Sequence, residues 1–307
     1  MAGPSSSAAL GWPSRAILVA ILLTLFLFLV YPVMVILAKS VWVNGEFSLT
    51  FFHMLFENPN YTESIVNSIK IGVAVTLITT MLCIPLASLM TRFDFPLKTW
   101  FSGLLLVPMV MPPFVGAIGM KQFFARFGSL NLLINETHKL FNPDAVMNPI
   151  DWFGQGGFWG VVILEVLHLY PIMYLNLCAA LANVDPSLEE AAQASGASKW
   201  RMLRTVSFPL MMPGYFAGTI IVFIWAFTDL GTPLIFGFNK TIPVQLFNMV
   251  TDIHENPMGF SLVVLVIAMT AVFFYASKKL VGEKRFEMLS RGHVTSRSRT
   301  LSWVGSL

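Results

Sequence analysis

Charged residues are scarce in this sequence of 307 residues. Only 11% of the chain is Asp, Glu, Lys or Arg, whereas 56% is hydrophobic. Because soluble domains carry about a quarter charged residues, this composition excludes an ordinary water-soluble domain and indicates a membrane protein. The formal net charge is only +3, which is too small to indicate a nucleic-acid partner.

Two kinds of chemical motif are also missing. The 2 cysteines, Cys83 and Cys178, lie inside apolar runs, so the sequence predicts neither a disulfide framework nor a metal site. The chain has no G-x-x-x-x-G-K-[ST] segment, because Lys240 and Thr241 follow Asn239 rather than glycine. Since that loop is what cradles phosphates, we expect no ATP site of this kind and no cofactor in this chain.

Six apolar stretches are long enough for membrane-spanning helices, which need roughly 20 residues. They lie near 16–38, 65–90, 99–119, 158–181, 210–236 and 259–280. We therefore predict an all-α integral membrane protein with a six-helix bundle. The predicted parts are a segment 1–15, a transmembrane domain 16–285 and a basic tail 286–307.

The distribution of basic residues predicts the orientation of the spans. Lys and Arg are concentrated in the tail and in the segments that would share its side of the membrane. Because cytoplasmic segments carry an excess of these residues, we expect both termini in the cytoplasm. A basic tail would be attracted to the anionic inner leaflet. Residues 185–209 are then cytoplasmic, and the long loop near 120–157 is outside.

The polar segment 185–209 is expected to form a helix, a turn and a second helix. Asp185 precedes Pro186, a typical helix start. Gly196 can end the first helix in the left-handed conformation, and Ser198 can cap the second. We expect Pro209 to break the second helix before the fifth span.

This segment is either an ordinary interhelical loop or a plug for a partner protein. Helices of two or three turns are marginal alone in water, so they need packing from elsewhere. Alanines allow another backbone to come close, and acidic residues in the first turn offer charges to pair. The residues predicted to make this contact are Glu189, Glu190, Ala191, Ala192, Gly196, Ala197, Lys199 and Arg201.

A polar stripe crosses the fourth span, where Glu165, His168 and Asn176 share one helix face. Ionisable groups at membrane depth are costly and usually face a cavity or a partner. The stripe therefore either makes structural hydrogen bonds or lines a solute path. A di-iron site of the Glu-x-x-His kind would need a second such pair, which we do not find.

Two stretches interrupt the third and fifth spans. One contains Pro112 and Pro113; the other places Asp229 beside Gly231, Thr232 and Pro233. Irregular backbone at membrane depth occurs only where protein or a water-filled cavity surrounds it. Each stretch is therefore either a bent or capped helix end near the outer face, or part of a gate. The pathway and gate candidates are Glu165, His168, Asn176, Asp229, Gly231, Thr232, Pro233, Pro112 and Pro113.

One spacing resembles a known family signature. Glu190-Ala191-Ala192, three residues, Gly196, nine residues and then Val206-Ser207-Phe208-Pro209 is similar to the EAA motif of bacterial ABC importer permeases, E-A-A-x3-G-x9-I-x-L-P. Valine and phenylalanine replace the isoleucine and leucine, which keeps both positions apolar. The segments PPFVGAIG and FTDLGTP are similar to the ferric-iron, 2-aminoethylphosphonate and polyamine branch of these permeases.

The resemblance implies a non-catalytic permease of the type I importer fold, multi-pass in the bacterial inner (plasma) membrane. Segment 185–209 would be its coupling helix pair, and transport would proceed by alternating access. The implied partners are a dimer of ATPase subunits that bind ATP and Mg²⁺, a second permease (the same or a homologous chain), an extracytoplasmic solute-binding protein and the lipid bilayer, with no nucleic acid.

The resemblance also implies a small charged solute, namely ferric iron, an aminophosphonate or a polyamine-like molecule. The residues alone leave a second class open, an ion-gradient-driven secondary transporter that would use Glu165, His168 or Asp229. A membrane-embedded enzyme has little support, because no nucleophile accompanies Glu165 and His168.

Overall fold

The computed structural model describes residues 12–43, 45–142, 148–153, 157–250, 258–282 and 299–300. The helices are α1 (Trp12–Leu25), α2 (Tyr31–Val41), α3 (Thr50–Glu57), α4 (Pro59–Arg92), α5 (Lys98–Val110), α6 (Pro113–Phe124), α7 (Ser129–Phe141), α8 (Phe158–Ala182), α9 (Pro186–Ala194), α10 (Lys199–Met202), α11 (Phe208–Thr228), α12 (Gly231–Phe236), α13 (Ile242–Val250) and α14 (Met258–Gly282). Two π-helical segments, Phe26–Val30 and Leu203–Ser207, join α1 to α2 and α10 to α11.

Short strands occur at two places. β1 (Trp42–Val43) pairs antiparallel with β2 (Glu46–Phe47). β3 (Phe93–Asp94) pairs in parallel with β4 (Arg299–Thr300). The fold is therefore all-α in its spanning part, as predicted.

Five helices in the described part are long and apolar enough to cross a membrane. They are Trp12–Val41, Pro59–Arg92, Phe158–Ala182, Trp200–Thr228 and Met258–Lys279. A sixth span is formed if the bent pair Lys98–Val110 and Pro113–Phe141 is counted as one, with a bend of 96° between its halves. The predicted third span is thus present but broken.

The described chain divides into two compact units. The first contains the described residues within Met1–Asn58 and Asn248–Ala268, and the second contains those within Pro59–Phe247 and Met269–Leu307. In the first unit, the Ser261 hydroxyl donates to the Ser40 carbonyl at 3.2 Å in a buried position. The Lys39 ammonium lies 5.2 Å from the ring centre of Phe260. These contacts fasten the end of α2 to the start of α14.

The second unit is built around α4, α8 and α11, which pack closely because small residues lie where they meet. A Cβ added to Gly214 would lie 2.5 Å from the Ala180 Cβ and 2.8 Å from the Asn176 carbonyl oxygen. Similarly, a Cβ on Gly218 would lie 2.9 Å from the Met173 sulfur. Such glycines let the backbones of membrane helices approach each other, where dispersion contacts hold them together.

The expectation that Pro209 breaks the chain before the fifth span is wrong. The helix runs without interruption from Trp200 to Thr228. The π-helical segment Leu203–Ser207 lies directly before it, and the Phe208 N–H bonds to the Leu203 carbonyl across the wider turn. Because a proline ring clashes with the carbonyl four residues earlier, this local widening is what lets the helix continue.

Some predicted regions lie outside the described residues. This applies to positions 1–11 of segment 1–15 and to the tail 286–307, apart from β4. It also applies to residues 143–147 and 154–156 of the long loop.

Candidate functional site

Segment 185–209, here named the hairpin, has the local structure that its sequence predicts. The Asp185 carboxylate accepts from the Ser187 N–H at 2.9 Å and caps α9. Gly196 has φ +79, the left-handed conformation expected at the turn. The Ser198 hydroxyl accepts from the Arg201 N–H at 3.3 Å at the start of the second helix. Side-chain caps and a glycine therefore fix the hairpin's shape.

The side of the hairpin that faces the membrane spans, here named the inward side, is held by Glu189. Its Oε1 forms an ion pair with the Arg92 guanidinium, at the end of α4. The same oxygen accepts from the Ser207 hydroxyl at 2.7 Å, at the end of the π-helical segment. Met202 is buried beside Gln193, whose amide nitrogen lies 3.3 Å from the Met202 sulfur. The hairpin is thus fastened to the spans and is not a loose loop.

The side of the hairpin that faces solvent, here named the outward side, carries most of the residues predicted for partner contact. Glu190, Ala191, Gly196 and Arg201 are exposed, whereas Glu189, Ala192 and Ala197 are half-buried. The side chain of Lys199 lies outside the described residues. The neighbouring glutamates therefore differ: Glu189 turns towards the spans and Glu190 towards solvent.

Two apolar residues of the hairpin were missed by sequence analysis. Trp200 is 72% exposed and Leu188 is 46% exposed. Tryptophan is enriched among the residues that anchor protein interfaces, so its presence in a short polar hairpin was a usable signal.

The polar stripe of α8 does not converge on one ligand. Glu165 is 2% exposed and accepts from the Thr232 hydroxyl at 2.8 Å. The His168 Nδ1 lies 3.2 Å from the Pro108 carbonyl oxygen. The Asn176 amide donates to the Ile172 carbonyl at 2.8 Å. Each stripe residue therefore has a separate partner, and no group of three metal-binding side chains occurs among the described residues.

The His168 contact follows from the break in the third span. In a helix, the Pro108 carbonyl would accept from the N–H of residue 112. Pro112 has no N–H, and Met111 is extended with ψ 131. His168 donates to the carbonyl that this break leaves free. A second α8 residue, Tyr170, donates its hydroxyl to the Leu105 carbonyl at 2.7 Å.

The second break lies between α11 and α12. Asp229 is extended with ψ 132, and its Oδ2 accepts from the Thr232 N–H at 2.8 Å, capping the short helix. Thr232 and Pro233 are buried, and Gly231 is half-buried. Glu165, the partner of Thr232, lies seven residues after the start of α8. At 1.5 Å per residue the break is about 10 Å inside that end of α8. It is a capped helix end that lies within the depth of the bundle.

The two breaks are neighbours in the fold. α6, which Pro113 begins, packs against both α12 and α8. The Lys121 ammonium donates to the Ile235 carbonyl at 2.8 Å, at the end of α12. The structure therefore gathers both predicted gate stretches at the end of the bundle opposite the hairpin. Lys121 and Tyr170 are further residues of this region that sequence analysis did not single out.

Comparison with known proteins decides the family. Residues 83–284 match the family described as "Binding-protein-dependent transport system inner membrane component". The chain belongs to this family. It is a permease of the ABC importer kind and a multi-pass inner-membrane protein. The matched region includes the hairpin and both broken spans.

Curated relatives from two transport systems are similar to this permease. It is 28% identical over 222 residues to the ferric transport system permease protein FbpB of Actinobacillus pleuropneumoniae, which covers 72% of this chain and 31% of that protein. It is 26% identical over 235 residues to the molybdenum transport system permease protein ModB of Escherichia coli K12, which covers 74% of this chain and 96% of that protein. This permease therefore spans about a third of the ferric relative and nearly all of the molybdenum one.

Solved structures show the same fold. A bacterial ABC transporter involved in the import of the acidic polysaccharide alginate matches with a TM-score of 0.68 at 14% identity, covering 89% of this chain and 96% of that chain. The MetNI methionine ABC transporter matches with a TM-score of 0.51 at 13% identity, covering 72% of this chain and 94% of that chain. These matches agree with the predicted importer-permease architecture.

Proposed function

We propose that this permease forms half of the solute pathway of an ATP-driven importer and is moved by a separate ATPase subunit that binds the hairpin. The observation that carries the proposal is the difference between the two sides of the hairpin: one is bonded to the spans and the other is exposed. Its inward side is bonded to α4 and to the π-helical segment before α11, through Arg92 and Ser207. Its outward side leaves Glu190 and small residues exposed. A surface built this way can receive a force and pass it on.

The exposed chemistry of the hairpin indicates what the ATPase surface must offer. Ala191 and Ala194 are exposed and small, so a partner backbone can approach α9 closely. Glu190 offers a carboxylate to a basic side chain. Trp200 and Leu188 offer apolar area of the kind that forms the centre of an interface. We therefore expect a cleft with an apolar floor and at least one arginine or lysine at its rim.

The orientation proposed from the basic residues places the hairpin and both termini in the cytoplasm, where ATP is present. The broken spans then lie towards the outside, where a solute-binding protein would deliver its cargo. A second permease, identical or homologous, would complete the pathway, and alternating access would move the solute. ATP and Mg²⁺ would bind the ATPase dimer and not this chain.

The proposed solute is a small charged species. The names of the relatives support this, since one is a ferric and one a molybdenum permease. Ferric iron, an aminophosphonate or a polyamine-like molecule, as implied by the branch resemblance, all belong to this class. A calorimetric screen of the cognate solute-binding protein against ferric citrate, molybdate, 2-aminoethylphosphonate and spermidine would identify the ligand. Tight binding of an uncharged sugar alone would refute the proposed class.

The central test is reconstitution. The permease should copurify with its ATPase, and proteoliposomes containing both should take up solute only with ATP inside and binding protein outside. Uptake that survives ATP depletion and stops with an uncoupler would instead support a transporter driven by an ion gradient. Solute accumulation by this chain alone would refute the proposed division of work.

A further inference from the structure

We infer that Glu189 is a positioning residue: it transmits movement of the hairpin to α4 and is not itself a contact for the ATPase. This inference rests on the proposed function, because it concerns how the hairpin drives the spans. Its observation is the three-way contact of Glu189, Arg92 and Ser207, here named the clamp. The clamp joins three separate elements at one carboxylate oxygen.

The connections of the chain show why α4 needs a clamp. The hairpin continues directly from α8 through residues 183–185 and into α11 through the π-helical segment. Movement of the hairpin therefore reaches α8 and α11 through the backbone. Arg92 lies 97 positions from Glu189 in the sequence, so α4 has no such covalent link. The ion pair provides a direct link between the hairpin and this span.

The environment of the clamp favours a lasting contact. The Arg92 and Glu189 side chains are only 25% and 20% exposed. An ion pair that is largely shielded from water is less screened by salt than an exposed pair. The Ser207 hydroxyl adds a hydrogen bond of 2.7 Å to the same Oε1, which fixes the direction of the carboxylate. Two bonds to one atom hold the position of α9 more strictly than either alone.

The span that receives the force is central to the bundle. α4 packs against both α8 and α11 and contributes buried small residues to their shared core. With the clamp intact, α4 should move together with the other two spans. With the clamp broken, the hairpin can move while α4 lags behind. We therefore expect loss of coupling with retention of ATPase binding.

The first test measures coupling in the reconstituted complex of permeases, ATPase and binding protein. Glu189→Gln removes the charge but keeps an oxygen that can accept from Ser207. We expect normal copurification of the ATPase and at least a roughly fivefold loss of the stimulation of ATP hydrolysis by solute-loaded binding protein. The charge-swapped variant Arg92→Glu with Glu189→Arg should recover most of this stimulation. Asp94→Asn is the matched control, because it breaks the Lys98–Asp94 pair nearby without touching the hairpin.

Two results would overturn the inference. Normal stimulation in Glu189→Gln would show that the clamp transmits nothing, and joint loss of ATPase binding would show that Glu189 touches the ATPase. A charge swap as impaired as the single variant would also count against it. Failure of the wild-type chain to bind any ATPase would refute the proposed function instead. The second test below would then still show whether the clamp holds α9 in place against α4.

The second test needs only the full chain in lipid nanodiscs. Spin labels at Ala194→Cys and Leu89→Cys, with Cys83 and Cys178 replaced by alanine, report the distance between α9 and α4. Both labelled positions are exposed. We expect one narrow distance distribution with Glu189 and a clearly broader one with Glu189→Gln. Equal widths would overturn the inference whatever the ATPase does.

Discussion

The buried hydrogen bond between Thr232 and Glu165 gives a stability prediction that can be worked out from the structure. Thr232 is 0% exposed and Glu165 is 2% exposed, and their side chains join α12 to α8 at 2.8 Å. Thr232→Val keeps the volume of the side chain but removes its hydroxyl. The Thr232 N–H still caps to Asp229, because it belongs to the backbone. The substitution therefore isolates one hydrogen bond.

The expected loss is about 1 kcal/mol, since a buried hydrogen bond contributes roughly 0.5–1.5 kcal/mol and Glu165 keeps a side-chain hydrogen bond with Asp229. For a chain of this size, this corresponds to a fall in Tm of about 2 °C. The measurement is thermal unfolding in detergent followed by a thiol-reactive dye. Cys83 is a suitable reporter because it is 0% exposed in the folded state, and Cys178→Ala removes the other thiol.

Thr228→Val is the matched control for this experiment. The Thr228 hydroxyl is exposed, and its bonds to described residues lie within its own helix, to the Ile224 and Trp225 carbonyls. We expect it to change stability by less than about 0.5 kcal/mol. A Thr232→Val variant as stable as this control would contradict the structural reason given for the buried contact.

Three further predictions concern the hairpin and the second break. Glu190→Ala should abolish ATP-dependent uptake without reducing membrane insertion, because Glu190 is exposed on the outward side of the hairpin. Uptake and copurification of the ATPase check this, and normal values for both would contradict docking through Glu190. Gly196→Val should also uncouple the ATPase, because a valine is strained by about 1–2 kcal/mol at φ +79. This strain is not steric crowding, since apart from the two neighbouring residues no described atom lies within 4 Å of an added Cβ. Wild-type ATPase stimulation would refute this prediction. Asp229→Asn should alter uptake while ATPase binding stays normal, since the amide oxygen can still cap Thr232; loss of folding in a thermal assay would show that the charge is structural.

The hairpin was predictable because its shape depends on local rules. An Asp-Pro start, a left-handed glycine and a serine cap act within a few residues, and all three occur where the sequence placed them. The division of work between Glu189 and Glu190 was not predictable. Both occupy the first turns of α9, and the difference depends on Arg92, which is distant in sequence. No periodicity within the hairpin contains that information.

The positions of the breaks in the spans were predictable, whereas the hydrogen-bond partners of the groups at the breaks were only partly predictable. A proline has no N–H group and therefore weakens a helix, and the interruption at Pro112 is present. Other prolines lie inside continuous helices, namely Pro85, Pro108, Pro171 and Pro213. The freed Pro108 carbonyl could have been foreseen, but its partner His168 depends on the packing of α5 against α8. The helical period predicts that the stripe of α8 lies on one face. Glu165 nevertheless contacts α12 and His168 contacts α5, and a helical period cannot reveal such partners.

Pro209 shows how context can override a strong local rule. A proline inside a helix normally removes one hydrogen bond and causes a clash. Here the chain forms a π-helical segment immediately before the proline, and Ser207 at its end is buried and bonded to Glu189. Local propensity predicts a break at Pro209. The helix nevertheless continues there, next to the contact between Ser207 and Glu189.

Docking through the hairpin is tested most directly by the affinity of the cognate ATPase subunit for this permease when the outward side of the hairpin is blocked. Ala191→Arg places a long charged side chain on α9 at a position where the alanine side chain is exposed. We expect the inserted variant to lose measurable ATPase binding in a nanodisc titration while its Tm is unchanged. ATPase binding equal to that of the wild-type permease would contradict the claim that the hairpin is the docking surface.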